Sequence, residues 1–156
     1  MVLRLICVGG RMPQWVQQGT GEYSKRIRHE LGFSMLEISA VRRSKSMSPT
    51  ACREKEANEI LKRIGSGDYV IALDVQGKTF STEELALELG RLRSIGQPVN
   101  LVIGGPDGLS EQIRLRANAN WSLSRLTLPH GLVRILIIEQ LYRAVSILQG
   151  HPYHRR

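Results

Sequence analysis

Cysteine is scarce in this 156-residue chain: Cys7 and Cys52 stand far apart, with no CxxC and no Cys/His spacing. The fold therefore needs no disulfide framework, a zinc site is not indicated, and neither thiol is a strong nucleophile; a reduced, cytoplasmic setting is expected. Long apolar runs are missing too. The longest, from Leu132 to Leu141, is interrupted by Arg134, Glu139 and Gln140, short of the roughly 20 apolar residues that a membrane span requires. The opening stretch from Met1 to Val8 stops at Gly9-Gly10, too short for the apolar core of a signal peptide, so export is not expected. Acidic residues are outnumbered: 14 Asp and Glu face 22 Lys and Arg, for a formal charge of +8. Such an excess favours an anionic partner.

The excess is uneven. Residues 1–64 hold 12 basic and 6 acidic side chains, whereas residues 65–156 hold 10 and 8, so the first half carries most of the positive field. Lys25-Arg26-Ile27-Arg28 and Arg42-Arg43-Ser44-Lys45 are its densest clusters. Each reads equally as a phosphate contact, adding affinity rather than base specificity, or as a solvated face.

Short apolar runs alternate with helical patterns throughout. Strands are expected at 3–8, 36–41, 69–73, 99–103 and 122–126. A first helix starts at Pro13, although Gly19 and Gly21 weaken it, and a second opens at Ser48-Pro49 with a stripe of Ala57, Ile60, Leu61 and Ile64. Ser81 and Glu84 have the spacing of a capping box, starting a helix that stops near Gly96. A short helix over 111–118 and a long one over about 131–149 complete the chain. The segment from Arg42 to Pro49 is a loop inside one domain spanning 1–156. Strand-then-helix alternation predicts an α/β fold, a parallel sheet covered on both faces, with ligands at the carboxyl ends of the strands. That selects the loops after Leu73, Ile103 and Leu126.

Three segments carry possible chemistry. Ile103-Gly104-Gly105-Pro106-Asp107-Gly108-Leu109-Ser110 joins a strand to a helix through three glycines, permitting close backbone approach to a ligand. It is neither GxGxxG nor a phosphate loop, which disfavours a dinucleotide or a triphosphate. The Gly9-Gly10 pair reads as a simple turn. Trp121 to His130 places Ser124 and Thr127 among apolar residues at a strand end, a mixture suited to a neutral heterocycle. The tail His151-Pro152-Tyr153-His154-Arg155-Arg156 gathers imidazoles, a phenol and guanidiniums, able to take a proton or fix an anion, although it also reads as a basic tail. The last helix is apolar nearly all round, which suggests a second copy packed against it. Within it, Glu139 and Arg143 fit a structural ion pair at a dimer contact as well as they fit catalysis.

Taken together, Val102–Leu109, Trp121–His130, Ile138–Ala144 and His151–Arg155, with Arg11–Gln17, Glu22-Tyr23 and Leu73–Lys78, resemble one branch of the trefoil-knotted, SPOUT-type methyltransferases along the whole chain. The resemblance implies a C-terminal trefoil knot, which periodicity alone would never suggest. It also implies a homodimer, formed through the last helix, that transfers methyl from S-adenosylmethionine to N3 of a pseudouridine in 23S rRNA of the 70S ribosome. By the family's pattern the cofactor is held by Leu73, Gly104, Leu123, Ser124, Arg125, Leu126, Thr127 and Leu128, with Gly105 adjacent. Tyr153 and His154 then belong to the catalytic tail and Arg143 to the shared dimer site, with no metal. The side chains of Asp107, Arg125 and Gly131 are poor candidates for chemistry. With no cysteine nucleophile and no metal-ligand spacing, the expected reaction is direct in-line displacement, His154 accepting or relaying the N3 proton. A methyltransferase for another RNA such as tRNA, and a non-catalytic rRNA-binding module, are the alternatives.

Overall fold

The computed structural model describes residues 1–155; Arg156, the last guanidinium of the tail, lies outside them. Ten elements alternate along the described residues: β1 (Leu3–Val8), α1 (Gln14–Leu31), β2 (Phe33–Ile38), α2 (Pro49–Leu61), β3 (Tyr69–Thr79), α3 (Thr82–Ile95), β4 (Val99–Ile103), α4 (Glu111–Arg116), β5 (Ala119–Ser122) and α5 (His130–Leu148). The strands form one sheet in the order β2-β1-β4-β3-β5, every pair parallel.

Alternation along each strand divides the core in two. Leu3, Leu5 and Cys7 of β1 face a layer built from α1, α3 and α5, with Ile27, Leu89 and Leu141 buried at its centre. Ile6 and Val8 face a second layer, where Ile60 of α2 and Ile113 of α4 are buried. Burial pushes the Cys7 thiol up to about 12, against a smaller opposing pull from Arg134. At pH 8 Cys7 should thus stay unlabelled by a thiol-specific disulfide reagent until the chain unfolds; rapid labelling of the native protein, located by mass spectrometry, would contradict this.

Local signals set most boundaries. Ser48 caps α2 with Pro49 as its first residue, and Ser81 and Glu84 form the reciprocal capping box of α3. Gly19 does not break α1, because it lets α5 approach: a Cβ there would lie 2.8 Å from Ile135 Cδ1. Three strands depart from expectation. β2 lies three residues earlier than 36–41, since α1 ends at Gly32 and Phe33 pairs at once with Leu3, while Val41 has left the sheet and donates its N–H to Glu56. β5 ends at Ser122 rather than running to Leu126. Ser122 Oγ donates to the Ser124 carbonyl and Ser124 Oγ accepts from Leu126 N, which turns the chain out of the sheet. β3 continues to Thr79 through a bulge at which both Leu73 and Lys78 pair with Trp121.

The all-round apolar character of α5 has a source within the chain, since α1 and α3 pack along two of its flanks. Leu132 and Leu136 nevertheless remain 38% exposed each.

Candidate active site

The carboxyl ends of β1, β3 and β4 and the segment after β5 surround a cavity of about 570 Å³. Its floor is the end of β4, where Ile103 leads into Gly104 and Gly105; the turn continues through Gly108, whose N–H donates to the Gly105 carbonyl at 3.0 Å. Gly104 has no room for a side chain. A Cβ there would lie 2.5 Å from the Gly108 carbonyl carbon and 2.8 Å from Leu109 N. One wall is Leu73, followed by Asp74 and Val75 of the β3 bulge; the other is Leu123, Ser124, Leu126, Thr127 and Leu128. Of the residues expected to form the cradle, Arg125 alone does not line the cavity, and its side chain is exposed. Leu126 is 73% exposed, an apolar side chain at the mouth with little protein over it. Ser124, expected to meet a heterocycle, has its hydroxyl engaged with its own loop.

Sequence reasoning missed four parts of the wall. Gly9-Gly10, read as a simple turn, lines the cavity with Met12, and the position after a central parallel strand was the available signal. Asp74 and Arg114 face it as an ion pair, 2.7 Å apart. Burial alone would push Asp74 up, but the Gln76 N–H and the Arg114 guanidinium outweigh it and hold the carboxyl below its usual range. His130, the first residue of α5, also lines the wall. Burial, reinforced by the charge of Arg134, pushes its imidazole below the usual range, so it stays neutral at pH 7. Its Nε2 is buried and has no partner among the described residues.

The expected catalytic residues gather elsewhere. After α5, Gly150 adopts a left-handed turn (φ 68°) that sends the tail back along the helix, and the Tyr153 ring packs on Tyr142 at 4.4 Å between centroids. Tyr153 donates its hydroxyl to Glu139 at 3.2 Å, and Glu139 also pairs with Arg143 at 2.7 Å. Burial and the Glu139 charge push the Tyr153 phenol up, so it keeps its proton. His154 Nδ1 lies 3.5 Å from Arg143 Nη1, and its Nε2 lies 3.4 Å from Glu83 Oε1. A guanidinium only donates, so a neutral imidazole here favours the tautomer with its proton on Nε2, toward Glu83, and the Nδ1 lone pair facing Arg143. None of Glu139, Arg143, Tyr153 or His154 reaches the cavity wall. Arg143 lies about 20 Å along α5 from His130, at 1.5 Å per residue.

Among the described residues, no group of His, Cys, Asp and Glu is placed to hold a metal ion, and no helix is long and apolar enough to cross a membrane.

Comparison with known proteins gives one consistent result. Residues 1–154 match the family described as "Predicted SPOUT methyltransferase". The chain is 54% identical to the ribosomal RNA large subunit methyltransferase H of Hahella chejuensis, over 99% of each chain. It is 49% identical to the protein of that name from Azotobacter vinelandii, over 99% of this chain and all of the relative. Among solved structures, a probable methylase family protein from Haemophilus influenzae shares the fold: TM-score 0.55 at 12% identity, covering 99% of this chain and 70% of the other.

Proposed function

The chain belongs to the SPOUT methyltransferase family, and on that basis we propose that it transfers a methyl group from S-adenosylmethionine to N3 of a pseudouridine in 23S rRNA of the assembled 70S ribosome. The observation that carries this reading is 54% identity, end to end, to a ribosomal RNA large subunit methyltransferase H. A cavity built at the strand ends supports it. Its volume of about 570 Å³ falls in the usual range for small-molecule sites, and its wall is mostly apolar with few polar groups. The residues present fit a nucleoside cofactor: Leu73 and the run from Leu123 to Leu128 supply apolar contact and backbone groups, while Gly104 and Gly105 allow close approach. The same reading takes residues 1–156 as a single knotted domain working in the cytoplasm.

When bound, S-adenosylmethionine supplies an electrophilic methyl on a sulfonium. The residues of the chain orient the base and take its proton. The acceptor N3 carries a hydrogen, which would have to leave as the nitrogen gains the methyl. His154 accepts that proton at Nδ1: its contact to Arg143 is long, and an incoming imide N–H replaces it, while Glu83 holds the opposite N–H. Arg143, anchored by Glu139, stabilises the imide anion, and Tyr153 fixes the Glu139 carboxylate. The active unit is a homodimer joined through α5, because the tail of one chain lies far from its own cavity and Leu132 and Leu136 remain partly bare.

Purified protein should therefore bind S-adenosylhomocysteine and methylate 70S ribosomes, adding one methyl to a 23S rRNA fragment as read by mass spectrometry. His154→Ala should bind S-adenosylhomocysteine normally and methylate at least about 100-fold more slowly. Wild-type rates in that variant would remove the base role. Methylation of tRNA with ribosomes untouched would sink the assigned substrate, and failure to bind S-adenosylhomocysteine would favour a non-catalytic rRNA-binding module.

A further inference from the structure

In the basic cluster at 42–45, one member is fully engaged. The Arg43 guanidinium spans two carboxylates from different parts of the chain. Its Nη1 donates to Glu56 Oε2 at 2.7 Å, while Nε and Nη2 donate to Asp107 Oδ2 at 3.0 and 2.8 Å. Nη1 also donates to the carbonyl of Val41 at 2.6 Å. The anchor is firm: the Glu56 side chain is 3% exposed and also accepts the Val41 N–H at 2.9 Å. Glu56 also lies close to the glycine loop, since a Cβ on Gly105 would lie 3.2 Å from its Oε1. From the other side Arg53 Nη1 donates to the Asp107 carbonyl at 3.3 Å. Asp107 sits in the middle of the loop whose other members, Gly104 to Pro106, Gly108 and Leu109, line the cavity; its own carboxylate is turned to Arg43.

Nothing in the proposed chemistry uses these residues, yet the floor of the cofactor cavity hangs on them. Resting on the reading of that cavity as the cofactor site, we propose that Arg43 is a positioning residue. With Glu56 as anchor and Asp107 as arm, it holds the glycine loop in its binding shape and ties it to the segment 42–48, so that cofactor binding and the order of that segment are coupled. The geometry suits a strut. A guanidinium presents several donors in one rigid plane, whereas an ammonium on a flexible stem cannot hold two separated carboxylates at fixed angles. Coupling follows because a ligand that prefers one loop position stabilises whatever is bonded to that position. It also divides labour among the basic residues. Arg43 is occupied by carboxylates, so any phosphate met by this segment falls to the exposed Arg42 and Lys45.

Asp107→Ala tests this, because it leaves the Arg43–Glu56 pair intact and removes only the arm. In the full chain, calorimetric titration should show S-adenosylhomocysteine bound about tenfold more weakly, the worth of a charged hydrogen bond in part. The melting temperature without ligand should stay within a few degrees of wild type. Amide hydrogen exchange supplies a readout that a merely structural role would not move: S-adenosylhomocysteine should slow exchange across residues 42–47 in wild type and leave it unchanged in Asp107→Ala. Arg43→Lys, which keeps a cation beside Glu56 and loses the fork, should behave as Asp107→Ala does. Wild-type affinity in either variant overturns the strut. Weaker binding with protection of 42–47 retained would confine Asp107 to its own loop and overturn the coupling. Failure of the wild-type chain to bind S-adenosylhomocysteine overturns the cofactor reading first, and this proposal with it.

Discussion

A heterodimer of one Gly104→Val chain and one His154→Ala chain should methylate ribosomes at about half the wild-type rate, although each homodimer is nearly inactive. The arithmetic follows from the proposed two-fold homodimer, in which each working centre would take its cradle from one protomer and its tail from the other. In the mixed dimer one centre receives both defects and the other receives neither. The distance supports the proposed exchange: Arg143 lies about 20 Å along α5 from His130 on the cavity wall, and the tail is folded onto the helix beside Tyr142 and Glu139. The measurement requires differently tagged chains, co-expressed and purified through both tags. A mixed dimer as inactive as its parents would mean that each tail serves its own chain, and the composite site would have to be abandoned.

Gly104→Val by itself should weaken S-adenosylhomocysteine binding at least about 100-fold, or roughly 2.7 kcal/mol, while leaving the far-ultraviolet circular dichroism unchanged. The added Cβ would meet the carbonyl carbon of Gly108 at 2.5 Å, its oxygen at 2.6 Å and Leu109 N at 2.8 Å, all backbone atoms unable to rotate aside. The loop must move, and it is the floor of the cavity. The sheet is spared because the clash falls beyond Ile103, the last residue of β4. Binding within threefold of wild type would show that the loop yields at little cost and that its shape is not what holds the cofactor.

Much of this architecture was legible in the order of residues, and the exceptions share a cause. Strands whose alternate residues are buried on both faces, such as Leu3–Val8 and Val99–Ile103, read as apolar runs broken only by Arg4 and Asn100, and helices that begin at Ser48-Pro49 and Ser81 carry their own start signals. The ends of β2 and β5 did not announce themselves. Val41 and Leu123 are as apolar as Ile38 and Trp121 inside the strands before them, and what removes them from the sheet is a hydrogen bond to Glu56 in one case and a serine-built turn in the other. The loops after Leu73, Ile103 and Leu126 were identifiable as cavity walls because a parallel sheet puts its loops at one end, while the full run from Leu123 to Leu128 was implied by the family resemblance. Gly9-Gly10 and His130 obeyed the same rule and were passed over, the first because two glycines look like any turn and the second because a histidine at a helix start looks incidental. Arg43 shows the converse. In a cluster of basic residues nothing distinguishes the one that meets carboxylates, because Glu56 and Asp107 lie 13 and 64 positions away and only the fold brings them together.

The strand order β2-β1-β4-β3-β5 has a consequence for how the molecule comes into being. β4 lies between β1 and β3 but follows both in sequence, so the middle of the sheet is filled after its neighbours exist. During synthesis β1 and β2 can pair early, while β3 waits with a bare edge until Val99–Ile103 has emerged. Such distant pairings make for slow assembly, because each long loop must close before its contacts repay the lost entropy. The cavity, whose wall runs from Val8 at the end of β1 to Val133 in α5, is incomplete until the chain has emerged past that residue. A ligand that fits it therefore stabilises only the finished chain and does nothing for an incomplete one.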